Sequence, residues 1–260
     1  MNPDWHRTFF RGMTLALWRR ATPPLRTQEE AEFLADAFAE HPGGRLLDLP
    51  CGNGRLALAL AARGFRLTAL DQSATLLKEG RAQAKAEGLS IDWRRGDMRS
   101  LPWRGRFDVV FCLGNSFAMF DAAGTQAFLD AVARALKPGG RFVLDTAMAA
   151  ESILPRMEER VWTRVREMLL LVEYRYEPEQ SRLDCEFTFL HESRRERRRA
   201  SYWVFTSGEI RRMLADAGLA VLDLFGSFSG EPFGIGSSDL ILVAEKQARP
   251  AIRCRRRARR

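Results

Sequence analysis

The spacing of apolar residues changes pattern three times along this chain, and each change marks a boundary. Trp5, Phe9, Phe10, Met13, Leu17 and Trp18 recur at mixed helical spacing over residues 4–20. This predicts one or two short helices, broken at Gly12 and stopped before Pro23 and Pro24, because proline lacks an amide hydrogen and crowds the preceding turn. Thr27 followed by Glu30 reads as a capping box. Phe33, Leu34, Ala37 and Phe38 then give the next helix one apolar face, as far as His41 and Pro42. From Arg45 the period alternates. Short apolar runs at 45–49, 65–70, 91–95, 107–113 and 141–145 predict five strands. Helices lie between them: one carrying Leu56, Leu58 and Leu60 and stopped by Gly64, one from Ser73 to Ala86 closed by Gly88, and one from Asp121 to Leu136 broken by Lys137-Pro138-Gly139-Gly140.

Over residues 150–206 the period falls to two. Stretches near 159–165, 167–177, 181–192 and 197–206 are rich in Val, Phe, Tyr and Thr. The turn-like Glu177-Pro178-Glu179-Gln180 and the charged Ser193–Arg199 segment separate them, with Arg194–Arg199 expected as a solvated hairpin tip. A helix from Thr206 or Ser207 to Ala217 and strands at 219–225 and 239–245 restore the earlier rhythm. Together these elements predict an α/β fold: a doubly wound, mostly parallel, seven-stranded sheet with an N-terminal helical lid (1–42) and an inserted antiparallel β-sheet (150–206). The α/β domain itself covers 43–149 and 207–248.

Composition narrows the class. With 260 residues, 46% hydrophobic and 28% charged, the chain can bury a sizeable core. No apolar run approaches the roughly 20 residues that span a bilayer, and the first eleven residues lack the pattern of a signal peptide. Cys51, Cys112, Cys185 and Cys254 are far apart and form no metal-type pair, as expected of reduced thiols in a cytoplasmic protein without a membrane or metal partner. The net charge of +8 suggests nucleic acid at first. However, residues 249–260 hold seven arginines and no acid, so the remaining body carries only +1. The basicity therefore belongs to a tail, expected to be disordered, and nucleic acid becomes a secondary partner to a small-molecule acceptor.

The candidate chemistry sits at strand ends. Leu46–Leu49 runs into Pro50-Cys51-Gly52-Asn53-Gly54, a turn whose glycines let a ligand approach the backbone and whose following helix offers amide hydrogens. Gly52, Gly54 and Ala57 also satisfy a dinucleotide-binding pattern, with Asp71 downstream, so the turn alone leaves a nicotinamide oxidoreductase open. Asp48, Asp71 and Asp97 fall at the ends of three successive strands, where ligands bind in such sheets. Asp71, with Gln72 beside it, suits a pair of ribose hydroxyls; Asp97 suits an exocyclic amine of adenine, with Met98 beside the ring.

As a set, LLDLPCGNGRLALALAARG, RLTALDQS, RRGDMRSLP, FDVVFCLGNSF and ALKPGGRFVLDT resemble the class I S-adenosylmethionine methyltransferases, with a Rossmann-like fold. FFRGMTLALW, PLRTQEEAEFL and LFGSFSGEPFGIGSSDLILVAEK are similar to a bacterial small-molecule subgroup related to amino-sugar N-methyltransferases. The resemblance implies S-adenosyl-L-methionine as cofactor and S-adenosyl-L-homocysteine as product. It implies that Asp48, Cys51, Gly52, Asn53 and Gly54 line the methionine end, Asp71 and Gln72 the ribose, and Asp97 and Met98 the adenine. Cys112, Leu113, Gly114 and Asn115 would form the floor near the methyl group, and Trp18 and Arg26 would close over the cofactor. Pro50-Cys51 departs from the commoner glycine or alanine there. The candidate catalytic groups are His191, which shares strand parity with Phe187 and Phe189, and Asn115. The absence of an (Asp/Asn)-Pro-Pro-aromatic motif argues against the amine methylation of bases or glutamine. The leading expectation is methyl transfer to an N or O atom of a small molecule by a monomer or homodimer. An RNA methyltransferase using the tail and a cofactor-binding protein without turnover are the alternatives. His6 and His41 are read as structural or exposed, and Tyr174, Tyr176 and Tyr202 as strand packing.

Overall fold

The computed structural model describes residues 4–38 and 43–248. The expectations for His41 and for the tail at 249–260 therefore lie outside the described residues. Three N-terminal helices come first: α1 (His6–Phe9), α2 (Gly12–Ala21) and α3 (Pro24–Ala37). Then β1 (Arg45–Asp48), α4 (Arg55–Ala61), β2 (Arg66–Asp71), α5 (Ala74–Ala86), β3 (Ile91–Arg95), β4 (Phe107–Cys112), α6 (Ala122–Ala135) and β5 (Leu136–Thr146) alternate. A short α7 (Ala150–Ile153) leads into β6 (Arg160–Val165), β7 (Met168–Glu177), β8 (Arg182–His191) and β9 (Arg194–Trp203). The chain ends in α8 (Ser207–Asp216), β10 (Leu219–Phe225) and β11 (Leu240–Lys246).

The main sheet has seven strands in the order β10-β11-β5-β4-β1-β2-β3, and β11 alone runs against its neighbours. Chain order leaves the sheet centre in both directions from β1 and β4, so their carboxyl ends flank a switch point where a crevice opens. β4 is apolar at nearly every position because both faces are covered. Val110 and Cys112 pack under α6 and α8 with Phe128, Val132 and Leu214. Val109 and Phe111 pack under α3 and α4 with Leu34, Phe38 and Leu60.

The second sheet is antiparallel, in the order β6-β7-β8-β9, and it grips the N-terminal helices. Trp5 and Phe9 bury themselves against Ala200, and the Trp5 Nε1–H donates to the Ser201 carbonyl at 2.9 Å. Phe9 meets Phe187 edge to face at 5.1 Å. At the start of α2, the Met13 amide donates to Glu196 Oε2 of β9 at 3.1 Å, satisfying one of the free amides of a helix N-terminus.

Three local expectations are corrected. Thr27 and Glu30 form no capping box, because proline at Pro24 starts α3 earlier and puts both residues inside the helix. Glu30 instead pairs with Arg26 and Arg55, tying α3 to α4. The true capping box is Thr206 with Glu209, at α8. The helix does stop before Lys137–Gly140, with α6 ending at Ala135, but these four residues lie inside a strand: β5 begins at Leu136, pairs with Phe107, and slips register before Arg141 resumes pairing with Val109. Arg194–Arg199 is not a hairpin tip but the first half of β9, an edge strand whose arginines pair with Glu186 and Glu196. Only Glu192 and Ser193 separate β8 from β9.

Candidate active site

A cleft of about 840 Å³ lies beyond the carboxyl ends of β1 to β4, roofed by α1 and α2. Its floor begins where β1 stops. Asp48 is 3% exposed, and its Oδ2 has no hydrogen-bond partner. Burial pushes its carboxyl up to about 7, offset in part by the charge of Arg55. A buried carboxylate oxygen with nothing to bind is costly unless a donor arrives, and a cation suits it best. The turn after it passes through a cis Leu49–Pro50 bond and places Cys51 and Gly52 on the cleft wall. Gly52 has φ +58°, and a Cβ there would come 2.9 Å from Trp18 Cη2. Only glycine serves both the backbone angle and the ring above it.

Asp71 ends β2 with 9% exposure. Its Oδ2 accepts from the Gly52 amide at 2.9 Å and its Oδ1 from the Ser73 amide at 2.7 Å. Burial raises its pKa, and those amides oppose the rise. Two oxygens carry about four acceptor positions, so two remain for a vicinal diol. Gln72 lines the same wall, and its carbonyl accepts from Arg95 Nε at 3.0 Å. After β3, Asp97 and Met98 line the far end of the cleft. Here sequence reasoning missed a partner: Arg99 grips Asp97, with Nη2 on Oδ2 at 2.7 Å and Nε on Oδ1 at 3.1 Å. Its side-chain bonds hold the Asp97 carboxyl below the usual range. The guanidinium of Arg99 also covers the Phe120 ring at 4.4 Å.

The cleft therefore brings together ten of the expected residues: Trp18, Asp48, Cys51, Gly52, Asp71, Gln72, Asp97, Met98, Leu113 and Gly114. Six others lie outside its lining. Cys112 is fully buried one residue short of the cleft, because strand parity turns it into the core beside Val110. Gly54 (φ +79°) serves packing, since a Cβ would overlap the Trp93 ring, and Asn53 lies beside it with its carbonyl against Gly80. Asn115 sits at φ 61° and is occupied by the scaffold: its Oδ1 accepts from Thr146 Oγ1 and the Ala147 amide, both at 3.0 Å, and its own amide donates to Asp145. That leaves no acceptor free for a nucleophile's proton. Arg26 donates to Glu30 at 2.7 Å and covers Phe228 at 4.7 Å, away from the cleft. His191 closes β8 opposite Arg194, beyond the part of that strand that faces α1.

Several lining residues had no signal in spacing. Phe10, Met119 and Phe120 look like core positions in sequence, and His6 looks like any exposed histidine. Met119 and Phe120 reach the cleft on the turn that follows β4, and His6 and Phe10 through the folding of α1 over the strand ends. Burial of aromatic surface there excludes water, and the acids beneath carry the polar recognition.

Comparison with known proteins fits this geometry. A methyltransferase-domain family profile matches residues 46–140, the stretch from β1 into β5. The cypemycin N-terminal methyltransferase of a Streptomyces species is 31% identical over 216 residues, covering 79% of this chain and 84% of that protein. Among solved structures, an S-adenosylmethionine-dependent methyltransferase from Clostridium acetobutylicum superposes with a TM-score of 0.77 at 19% identity, over 85% of this chain and 92% of that one. The amino pentose methyltransferase CalS10 of Micromonospora echinaspora superposes with a TM-score of 0.68 at 21% identity, over 91% and 98% of the two chains. Among the described residues no helix is long and apolar enough to cross a membrane. With the strand-end acids, the glycine turn and a relative aligned over most of both lengths, this chain belongs to the class I S-adenosylmethionine-dependent methyltransferases.

Proposed function

We propose that the chain transfers a methyl group to a nitrogen atom of a small-molecule amine. The observation that carries this reading is the alignment over 84% of a relative named for methylating an N-terminus. A roofed cleft of about 840 Å³ supports it, being in the range that encloses a nucleoside cofactor and a compact acceptor together.

The cofactor supplies an activated sulfonium methyl. The chain's residues bind, orient and exclude water. Asp48 would hold the ammonium of the methionine moiety, which answers its unpartnered Oδ2. Asp71 would accept both ribose hydroxyls, and Asp97 with Met98 would meet the purine. Gly52 would let the methionine end lie against the turn under the Trp18 ring. Alignment of this kind contributes roughly 7–11 kcal/mol, so the transfer demands little dedicated acid–base chemistry. In this reading α1 and α2 act as a lid, and the sheet of β6 to β9 acts as the frame that holds it.

The test is transfer of radiolabelled methyl to an acceptor panel of amino sugars, short peptides with free N-termini, phenols and RNA. The expected product is an N-methylated amine. Labelled phenol or RNA without labelled amine would overturn the reading.

A further inference from the structure

His6 is the polar group in this cleft whose bonding is least complete. It lies in α1, is 8% exposed, and lines the cleft wall. Neither Nδ1 nor Nε2 has a hydrogen-bond partner. Its ring meets Phe120 edge to face at 5.3 Å and Trp5 at 6.1 Å. Four charged groups act on it: Arg99 and Asp97 from the segment after β3, and Asp4 and Arg7 from its own end of the chain. An orphaned buried imidazole costs free energy comparable to any unmade buried hydrogen bond, so a partner is expected from whatever fills the cleft.

The position of His6 says which part of the ligand that is. It sits at the Asp97 end: its ring meets Phe120, the guanidinium of Arg99 covers that same ring, and the charges of Arg99 and Asp97 both act on it. Asp97 is acceptor-only, and its Oδ1 already takes both the amide and Nε of Arg99. It has room for an exocyclic N–H of a purine but nothing to give the purine's ring nitrogens. A neutral imidazole carries one N–H donor. Burial, followed by the charge of Arg99, lowers the pKa of His6 and keeps the ring neutral near pH 7.

We propose that His6 donates its ring N–H to a ring nitrogen of the cofactor's adenine, so that the N-terminal helix reads the base from above while Asp97 reads it from below. This rests on the cofactor arrangement given under Proposed function. It makes His6 a binding residue rather than a catalytic one. It also couples seating of α1 to occupation of the adenine end, because the same residue that closes the roof completes the recognition.

The experiment is calorimetric binding of S-adenosylhomocysteine and its 1-deaza, 3-deaza and 7-deaza analogues to the full chain and to His6→Phe. Phenylalanine keeps the aromatic contacts with Trp5 and Phe120, and His6→Asn serves as a second, polar variant should His6→Phe unfold. His6→Phe is expected to bind the parent ligand about three- to tenfold more weakly, the range of one net hydrogen bond. One deaza analogue should show a similar loss on the natural chain and no further loss on His6→Phe. Equal affinity of the two chains for the parent ligand would overturn the proposal. So would deaza penalties that are the same in both chains, or a variant that keeps cofactor affinity and loses only turnover. If the natural chain binds no S-adenosylhomocysteine, the cofactor arrangement itself fails, and that outcome is distinct from the others.

Discussion

At the residue scale, Asp48 carries the sharpest consequences. Its folded pKa is raised to about 7 by burial, so the folded state holds its proton more tightly than the unfolded chain. Stability from this group is therefore lost as pH rises from the ordinary carboxylate range towards 7, and the full cost is present above it. Asp48→Asn is expected to raise the melting temperature of the ligand-free protein at pH 8, by about 1–4 kcal/mol of stability. The same change removes the carboxylate that would hold a ligand ammonium. Calorimetry should show S-adenosylmethionine affinity rising between pH 6 and 8 in the natural chain, and a weaker, flatter profile in Asp48→Asn. An unchanged melting temperature at pH 8 would argue against a charged, buried Asp48. Gly52→Ala tests a second residue: with φ +58° and Trp18 at 2.9 Å, it should cost about 1–3 kcal/mol and displace the Trp18 ring, read as altered tryptophan fluorescence.

At the element scale, strands and most helices were legible because their periods are those of the final packing. The short run FDVVFC, rich in β-branched and aromatic residues and followed closely by Gly114, reads as a strand covered on both faces, and β4 is that strand. The three acids were legible because Asp48 and Asp71 end such runs and Asp97 follows β3 by two residues. What escaped was set by long-range contacts. Arg194–Arg199 reads as loop from charge alone, yet Glu186 and Glu196 pair its side chains and let it pair with β8. Asn115 looked available, but Thr146 and Ala147 of the neighbouring strand end occupy it. His6 gave no sign because its surroundings come from β9, Phe120 and Arg99, all distant in the chain. Glu196 belongs at this scale too. Its carboxylate caps α2 and would meet any Cβ at Gly12. Glu196→Ala should cost about 0.5–2 kcal/mol, as loss of a cap does, and speed amide exchange over residues 12–21 while exchange in β4 stays slow. Uniform exchange across both segments would show that Glu196 does not hold that helix.

At the scale of the whole molecule, two sheets divide the labour. The parallel sheet places three carboxylates at one edge, and the antiparallel sheet anchors the helices that roof them. The arginine-rich residues 249–260 stand apart from this plan in sequence, following a body of near-neutral charge. Removing them is expected to leave cofactor affinity and amine methylation unchanged, measured at low and high salt. A salt-dependent loss of activity would instead tie the tail to an anionic partner. The central claim is that the cleft over β1 to β4 is an S-adenosylmethionine site organised by Asp71. Its most direct test is calorimetric titration with S-adenosylmethionine, S-adenosylhomocysteine and NADH, repeated on Asp71→Ala. Micromolar binding of the first two, weakened at least tenfold in the variant and absent for NADH, is the predicted result. Binding of NADH in their place, or affinity untouched by Asp71→Ala, would contradict it.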